Sequence, residues 1–130
     1  MTACEGIMVV EDDPSIRDLV CQILALEGYR VHAADNGKDA LSKLERIPYP
    51  VLILLDLMMP VMNGWQFLEA RKRNHALAEL PVVVCSAVCD RFDPPEADEC
   101  IRKPPDLETL LEVVRHHCTA PHNTPQQAVA

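Results

Sequence analysis

Five consecutive apolar residues, VLILL at positions 51–55, stand in mid-chain and end abruptly in Asp56. The run is too short to span a membrane and too uniform for one face of a surface helix, so it reads as a strand buried on both faces. Residues 7–10 repeat the pattern and end in Glu11, Asp12 and Asp13, and residues 82–85 repeat it after Pro81 and end in Ser86. Residues 30–34 instead alternate polar with apolar, the mark of a less buried edge strand, which turns His32 toward solvent. Residues 100–102 make a brief last strand just before Lys103.

Between these runs the period changes to that of a helix. Asp13 and Pro14 supply an N-cap and a first-turn proline, and Ile16, Leu19, Val20, Ile23 and Leu24 follow at helical spacing until Gly28 stops the helix. Asn36 and Gly37 turn into a second helix, with Leu41 and Leu44 facing inward and Pro48 and Pro50 beyond its end. Pro60 and Gly64 bracket a tight loop after Asp56; Asn63 then caps a third helix that carries Phe67, Leu68 and Arg71, with Trp65 assigned to packing. Leu107, Leu110, Leu111 and Val114 define a last amphipathic helix. Arg115, His116 and His117 complement its C-terminal dipole, which is reason enough for both histidines. Residues 88–99, VCDRFDPPEADE, contain two adjacent prolines and support at most a short helix, and the polar residues 119–130 read as a disordered tail or the start of a linker.

Strands alternating with helices through short loops call for a doubly wound parallel sheet with helices on both faces. The strand ends then share one edge, where open α/β sheets bind ligands, and that edge gathers Glu11, Asp12, Asp56, Ser86 and Lys103. Taken alone, Asp56 is equally well explained as a loop cap. Three carboxylates together call for a cation, and hard oxygen donors suit Mg²⁺, which completes its shell with waters and phosphate oxygens. Lys103 and Ser86 add a positive charge and a hydroxyl, so the edge could hold a phosphoryl group, with an Asp carboxylate as nucleophile.

The 130 residues suffice for one domain with a real core, assigned to residues 1–118. A net charge of −8 argues against direct binding to nucleic acid. The apolar runs are too short for membrane insertion, and the N-terminal MTACEG lacks the features of a signal peptide, so a soluble cytoplasmic protein is expected. Its six cysteines are then expected as reduced thiols, and the C-x-x-x-C of Cys85 and Cys89 has no second pair to complete a zinc site.

Four segments in this order, VVEDDPSIR at 9–17, LLDLMMPVMNG at 54–64, PVVVCSA at 81–87 and RKP at 102–104, resemble the receiver domain of two-component response regulators. The resemblance implies a flavodoxin-like fold of five parallel strands in the order 2-1-3-4-5, a phosphorylated signalling module rather than an enzyme. It implies Asp56 as the phosphoacceptor, Asp12 as a direct Mg²⁺ ligand, Glu11 as an acidic partner acting through water, and the Met58 backbone carbonyl as a further ligand. It also implies Ser86 as the hydroxyl that turns toward the phosphoryl group, Lys103 as the cation that pairs with it, a histidine kinase or phosphotransfer protein as donor, and a protein as downstream target. Two features depart from the family: Cys100 stands where an aromatic residue is usual, and the segment between Ser86 and Lys103 is short, so the fourth helix region should be reduced.

Other readings fit less well. A haloacid-dehalogenase-type phosphohydrolase wants a second Asp two residues after the first, where this chain has Met58, and its four glycines make no G-x-G phosphate loop. A receiver-like interaction module that signals without phosphorylation is the nearer alternative, and the complete set of acidic, hydroxyl and lysine residues argues against it.

Overall fold

Strand β1 (Gly6–Val10) and strand β3 (Val51–Leu55) lie side by side at the centre of a parallel sheet, and every residue of both is buried. The computed structural model describes residues 5–86, 97–103 and 106–118. Strands β2 (Arg30–Ala34), β4 (Val82–Ser86) and β5 (Glu99–Arg102) complete the order β2-β1-β3-β4-β5. The continuous apolar runs thus occupy the middle, and the alternating segment lies at an edge, as a sheet covered on both faces requires. In the register, Val10 pairs with both Ala34 and Leu55, Leu55 with Val84, and Ser86 with Arg102. The residues that follow these strands therefore emerge level with one another.

Because successive side chains of a strand point to opposite faces, the sheet divides the core in two. Met8, Val10, Ile53, Leu55, Val82 and Val84 face helix α2 (Gly37–Leu44) and helix α3 (Gly64–Lys72), where they pack with Ala40, Leu44, Phe67 and Leu68. Ile7, Val9, Leu52, Leu54, Val83 and Ile101 face helix α1 (Pro14–Leu26) and helix α4 (Leu107–His117), against Leu24, Leu110, Leu111 and Val114. Each fully buried side chain of this kind contributes roughly 1.5–3 kcal/mol.

The first three helices start at the expected positions, and the last adds a cap that its apolar spacing did not mark. Asp13, with Pro14 behind it, accepts from the Ser15 and Ile16 amides; Asn36 accepts from Asp39; Asn63 and Gln66 form a reciprocal capping box; and Asp106 caps α4. Gly28 ends α1 with φ of 96°, a left-handed conformation that costs glycine least.

Several expectations need correction. Leu19 is 57% exposed, because the inward stripe of α1 is narrower than its apolar positions. His32 is not simply solvent-facing: it is half-buried, its Nε2 lies 2.7 Å from the Tyr49 hydroxyl, and burial lowers its pKa, with help from Arg30 and Lys43. Trp65 packs only in part. Cys21, Cys85 and Cys118 are free thiols, but Cys100 is disulfide-bonded, since spacing along a chain does not reveal which thiols folding brings together. The expected short helical region falls largely on residues 87–96, and the expected tail on 119–130; both lie outside the described residues. Among the described residues, no helix is long and apolar enough to cross a membrane.

Candidate functional site

At the C-terminal edge of the sheet, β1 delivers Glu11 and Asp12, β3 delivers Asp56, β4 ends in Ser86, and β5 leads into Lys103. Backbone bonds hold these exits in place. The Glu11 amide donates to Ala34 O (3.0 Å), the Asp56 amide to Val10 O (3.0 Å) and the Lys103 amide to Ser86 O (3.1 Å), so the ladder continues one step past each strand. Carboxylate oxygens of Glu11, Asp12 and Asp56 lie within 4.8 Å of one another. Glu11 and Asp56 are buried, and Asp12 is the most open of the three. Lys103 reaches from β5 past the end of β4: its Nζ stands 2.6 Å from Glu11 Oε1 and 3.5 Å from Asp56 Oδ1. Ser86 is fully buried at the same edge. Sequence reasoning named these five residues; the fold sets the three carboxylates beside Lys103 and leaves Ser86 at the end of the neighbouring strand.

The loop after β3 is shaped by a close approach. The Gly64 amide donates to Leu57 O at 2.9 Å, and a Cβ on Gly64 would stand 2.6 Å from Leu57 Cα and 2.8 Å from Asp56 O, closer than real Cβ atoms come. Glycine is required there by the loop it abuts rather than by its own torsions. Within the loop, Val61 has φ of 67°, a left-handed conformation that a β-branched residue adopts only under constraint. The resulting turn aims the Met58 amide at Asp56 Oδ1 (3.3 Å), while the Met58 side chain stays 59% exposed.

Three supporting contacts were not foreseen. The Met58 N–H, where the expectation concerned its carbonyl, bonds the Asp56 carboxylate; Arg17 Nη1 donates to Glu11 O (3.0 Å); and the Asp13 amide donates to Glu11 Oε2 (3.1 Å). Arg17 follows the cap of α1 by one turn, but nothing in its spacing marks it as a brace. Asp13 itself serves as the helix cap, as its position beside Pro14 indicated.

Burial, reinforced by the neighbouring Glu11 charge, raises the Asp56 carboxyl from 3.8 to about 6, and Lys103 and the Met58 amide only partly oppose that rise. Burial alone would lower the Lys103 ammonium, but its hydrogen bond to Glu11 and the charges of Asp56 and Glu11 outweigh it and raise its pKa. Burial pushes the adjacent Cys85 thiol up to about 11, which leaves it protonated and unreactive. Below the carboxylates a cavity of about 30 Å³, walled by Val10, Ile16, Leu54 and Leu110, keeps the inner side of Asp56 apolar.

Among the described residues, three carboxylates thus gather around the Lys103 ammonium, which pairs with two of them. All three offer hard oxygens, one of them toward solvent, and burial together with the Glu11 charge disfavours the ionised Asp56 carboxylate. The set fits a divalent ion such as Mg²⁺, which keeps part of its water shell.

Comparison with known proteins agrees with this geometry. The family model described as the response regulator receiver domain matches residues 7–115. The phosphate regulon transcriptional regulatory protein PhoB of Escherichia coli is 37% identical over 114 residues, 84% of this chain and 49% of PhoB. RpaA of Synechocystis, a DNA-binding dual master transcriptional regulator, is 32% identical over 127 residues, 94% of this chain and 52% of RpaA. The chain therefore spans about half the length of these two relatives. Among solved structures, the chemotaxis protein CheY4 of Vibrio cholerae superposes with a TM-score of 0.80 at 28% identity, covering 88% of this chain and 99% of CheY4. The Thermotoga maritima response regulator TrrA, solved in complex with Mg²⁺ and a beryllium fluoride, gives 0.75 at 29% identity, covering 86% and 97%. With the sheet order, the acidic edge and the matched residues in agreement, this chain belongs to the response regulator receiver domain family.

Proposed function

We propose that Asp56 accepts a phosphoryl group from a histidine kinase or phosphotransfer protein in a Mg²⁺-dependent reaction, and that the resulting change is read by a partner protein. The observation that carries this reading is the convergence of Glu11, Asp12 and Asp56 within 4.8 Å beside Lys103. In the transfer, an Asp56 oxygen attacks phosphorus, the P–N bond to the donor imidazole breaks, and the imidazole leaves with a proton in place of phosphorus. With a carboxyl pKa of about 6 in the metal-free fold, Asp56 is mostly ionised near neutral pH, and a bound cation would hold it in that form. Bound Mg²⁺, held by Asp12 and Asp56 directly, by Glu11 through water and by the Met58 carbonyl, would neutralise the charge that gathers on the transferred oxygens.

Lys103 shares its ammonium between Glu11 and Asp56, so once Asp56 carries the phosphoryl group as an acyl phosphate its charge is free to follow the phosphoryl oxygens. The Ser86 hydroxyl, on the residue whose carbonyl accepts the Lys103 amide, supplies a donor to the same group and links its arrival to the β4–β5 edge. We assign residues 1–118 to the receiver unit, residues 119–130 to a tail or linker, and the protein to the cytoplasm. It acts as a signalling module rather than a turnover enzyme. The DNA-binding named for RpaA belongs to a protein about twice the aligned length.

Intact mass after treatment with acetyl phosphate and Mg²⁺ tests the reading. The wild type gains one phosphoryl group and Asp56→Asn gains none; equal gain by the variant, or none by the wild type, overturns it.

A further inference from the structure

Away from the acidic edge, a second set of donors meets where β5 passes the end of α4. Glu99 and Ile101 share a strand face, and Ile101 belongs to the core on the α4 side, so Glu99 points toward that helix. Its Oε2 lies 2.9 Å from His117 Nε2. The His116 ring stands against His117 edge to face, with centroids 4.9 Å apart. One ligand atom from each of Glu99, His116 and His117 lies within 4.8 Å of the others.

We propose that Glu99, His116 and His117 form a binding site for a borderline divalent transition metal, with Zn²⁺ as the ion best matched. Two imidazoles and a carboxylate are a zinc-type donor set, quite unlike the all-oxygen set around Asp56. Tetrahedral bonds of about 2.1 Å place ligand atoms about 3.4 Å apart. The Glu99–His117 pair is already inside that spacing, and the exposed His116 ring closes the remainder by rotation about its own side-chain bonds. Both histidines lie in the last turn of α4, where the helix dipole favours a cation. The His117 Nε2–H faces the Glu99 carboxylate; an ion bound at Nε2 takes the place of that hydrogen, and the ring keeps its proton on Nδ1. The neighbouring thiol does not compete, since Cys118 is buried and its Sγ donates to Gly6 O. A fourth position remains for water. An ion here would tie β5, the strand that leads into Lys103, to the final helix.

The test is titration with Co²⁺ and Zn²⁺ in the presence of excess Mg²⁺, which keeps the acidic edge occupied. The expected result is one equivalent bound, a Co²⁺ spectrum with visible d–d bands but no thiolate charge-transfer band, and a melting temperature raised by Zn²⁺. His117→Ala and Glu99→Gln should each weaken binding at least about tenfold. His116→Ala, at an exposed position that leaves the fold intact, should do the same, whereas Asp12→Ala should bind as the wild type does. Absence of saturable binding, a thiolate band, or affinity unchanged in the His116 and His117 variants overturns the proposal.

Discussion

Replacing Asp56 by Asn should stabilise the metal-free protein near neutral pH even though it removes the phosphoacceptor. The Asp56 carboxyl, 3.8 by its ordinary value, rises to about 6 in the fold. Between those values the native state holds more protons than the unfolded chain, so stability falls as pH rises through that window and the full cost is present above about pH 6. A shift of about two units corresponds to at most about 3 kcal/mol. The carboxylate keeps an edge toward solvent, so roughly 1–2 kcal/mol is the expected gain in the variant. In a domain of this size that is roughly 3–8 °C in melting temperature. Lys103 is not orphaned by the change, because it keeps Glu11 at 2.6 Å. The assay is a pair of melting curves in chelator at about pH 7.5 and about pH 5: linkage leaves about half of the gain at the lower pH. Saturating Mg²⁺ should narrow the difference by stabilising the wild type more than the variant. A variant that melts at or below the wild type at both pH values, or whose advantage does not shrink on acidification, would show that the ionised Asp56 carries no such penalty.

Three further outcomes follow from the same edge. Asp12→Ala, which removes the most open carboxylate, should abolish measurable Mg²⁺ binding and phosphorylation by acetyl phosphate while changing the melting temperature little; both are read by titration and intact mass. Gly64→Ala forces a methyl group to within 2.6 Å of Leu57 Cα, so it should destabilise the protein by roughly 1–3 kcal/mol in urea unfolding and slow phosphorylation by displacing the Asp56 loop. Val61→Gly relieves the left-handed strain at φ of 67° and should cost no stability in the same assay, where an ordinary Val→Gly change in a loop costs backbone entropy.

The architecture was legible because its signals are redundant. The uniform runs of β1 and β3 read as strands buried on both faces, the alternation of β2 marked an edge, and Asp13 and Asn63 stood out as caps of the helices they do cap. The site was legible because its residues stand at strand ends, where parallel topology alone makes distant positions meet. What escaped depends on three-dimensional accidents of reach. The Arg17 guanidinium on the Glu11 carbonyl, the Tyr49 hydroxyl on His32 and the meeting of Glu99 with His117 each join residues whose spacing carries no period. Leu19 misled for a related reason: helical spacing names a face but not how wide a stripe the neighbouring strands can cover. The disulfide at Cys100 likewise depends on which thiols come together in space.

The division of the interior by the sheet has a consequence for how this molecule can change. Val83 and Val84 are adjacent in sequence but lodge in separate packing compartments, as do Leu54 and Leu55. A truncation such as Leu110→Ala opens a void that only its own compartment can relax into, and a second truncation such as Phe67→Ala opens one on the other side of a hydrogen-bonded backbone. Their costs should therefore sum, while two truncations within one compartment should not. Either layer of helices can accordingly be re-sequenced to suit a new partner without repacking the other, and Asp56, held by the strand between them, keeps its position through both histories.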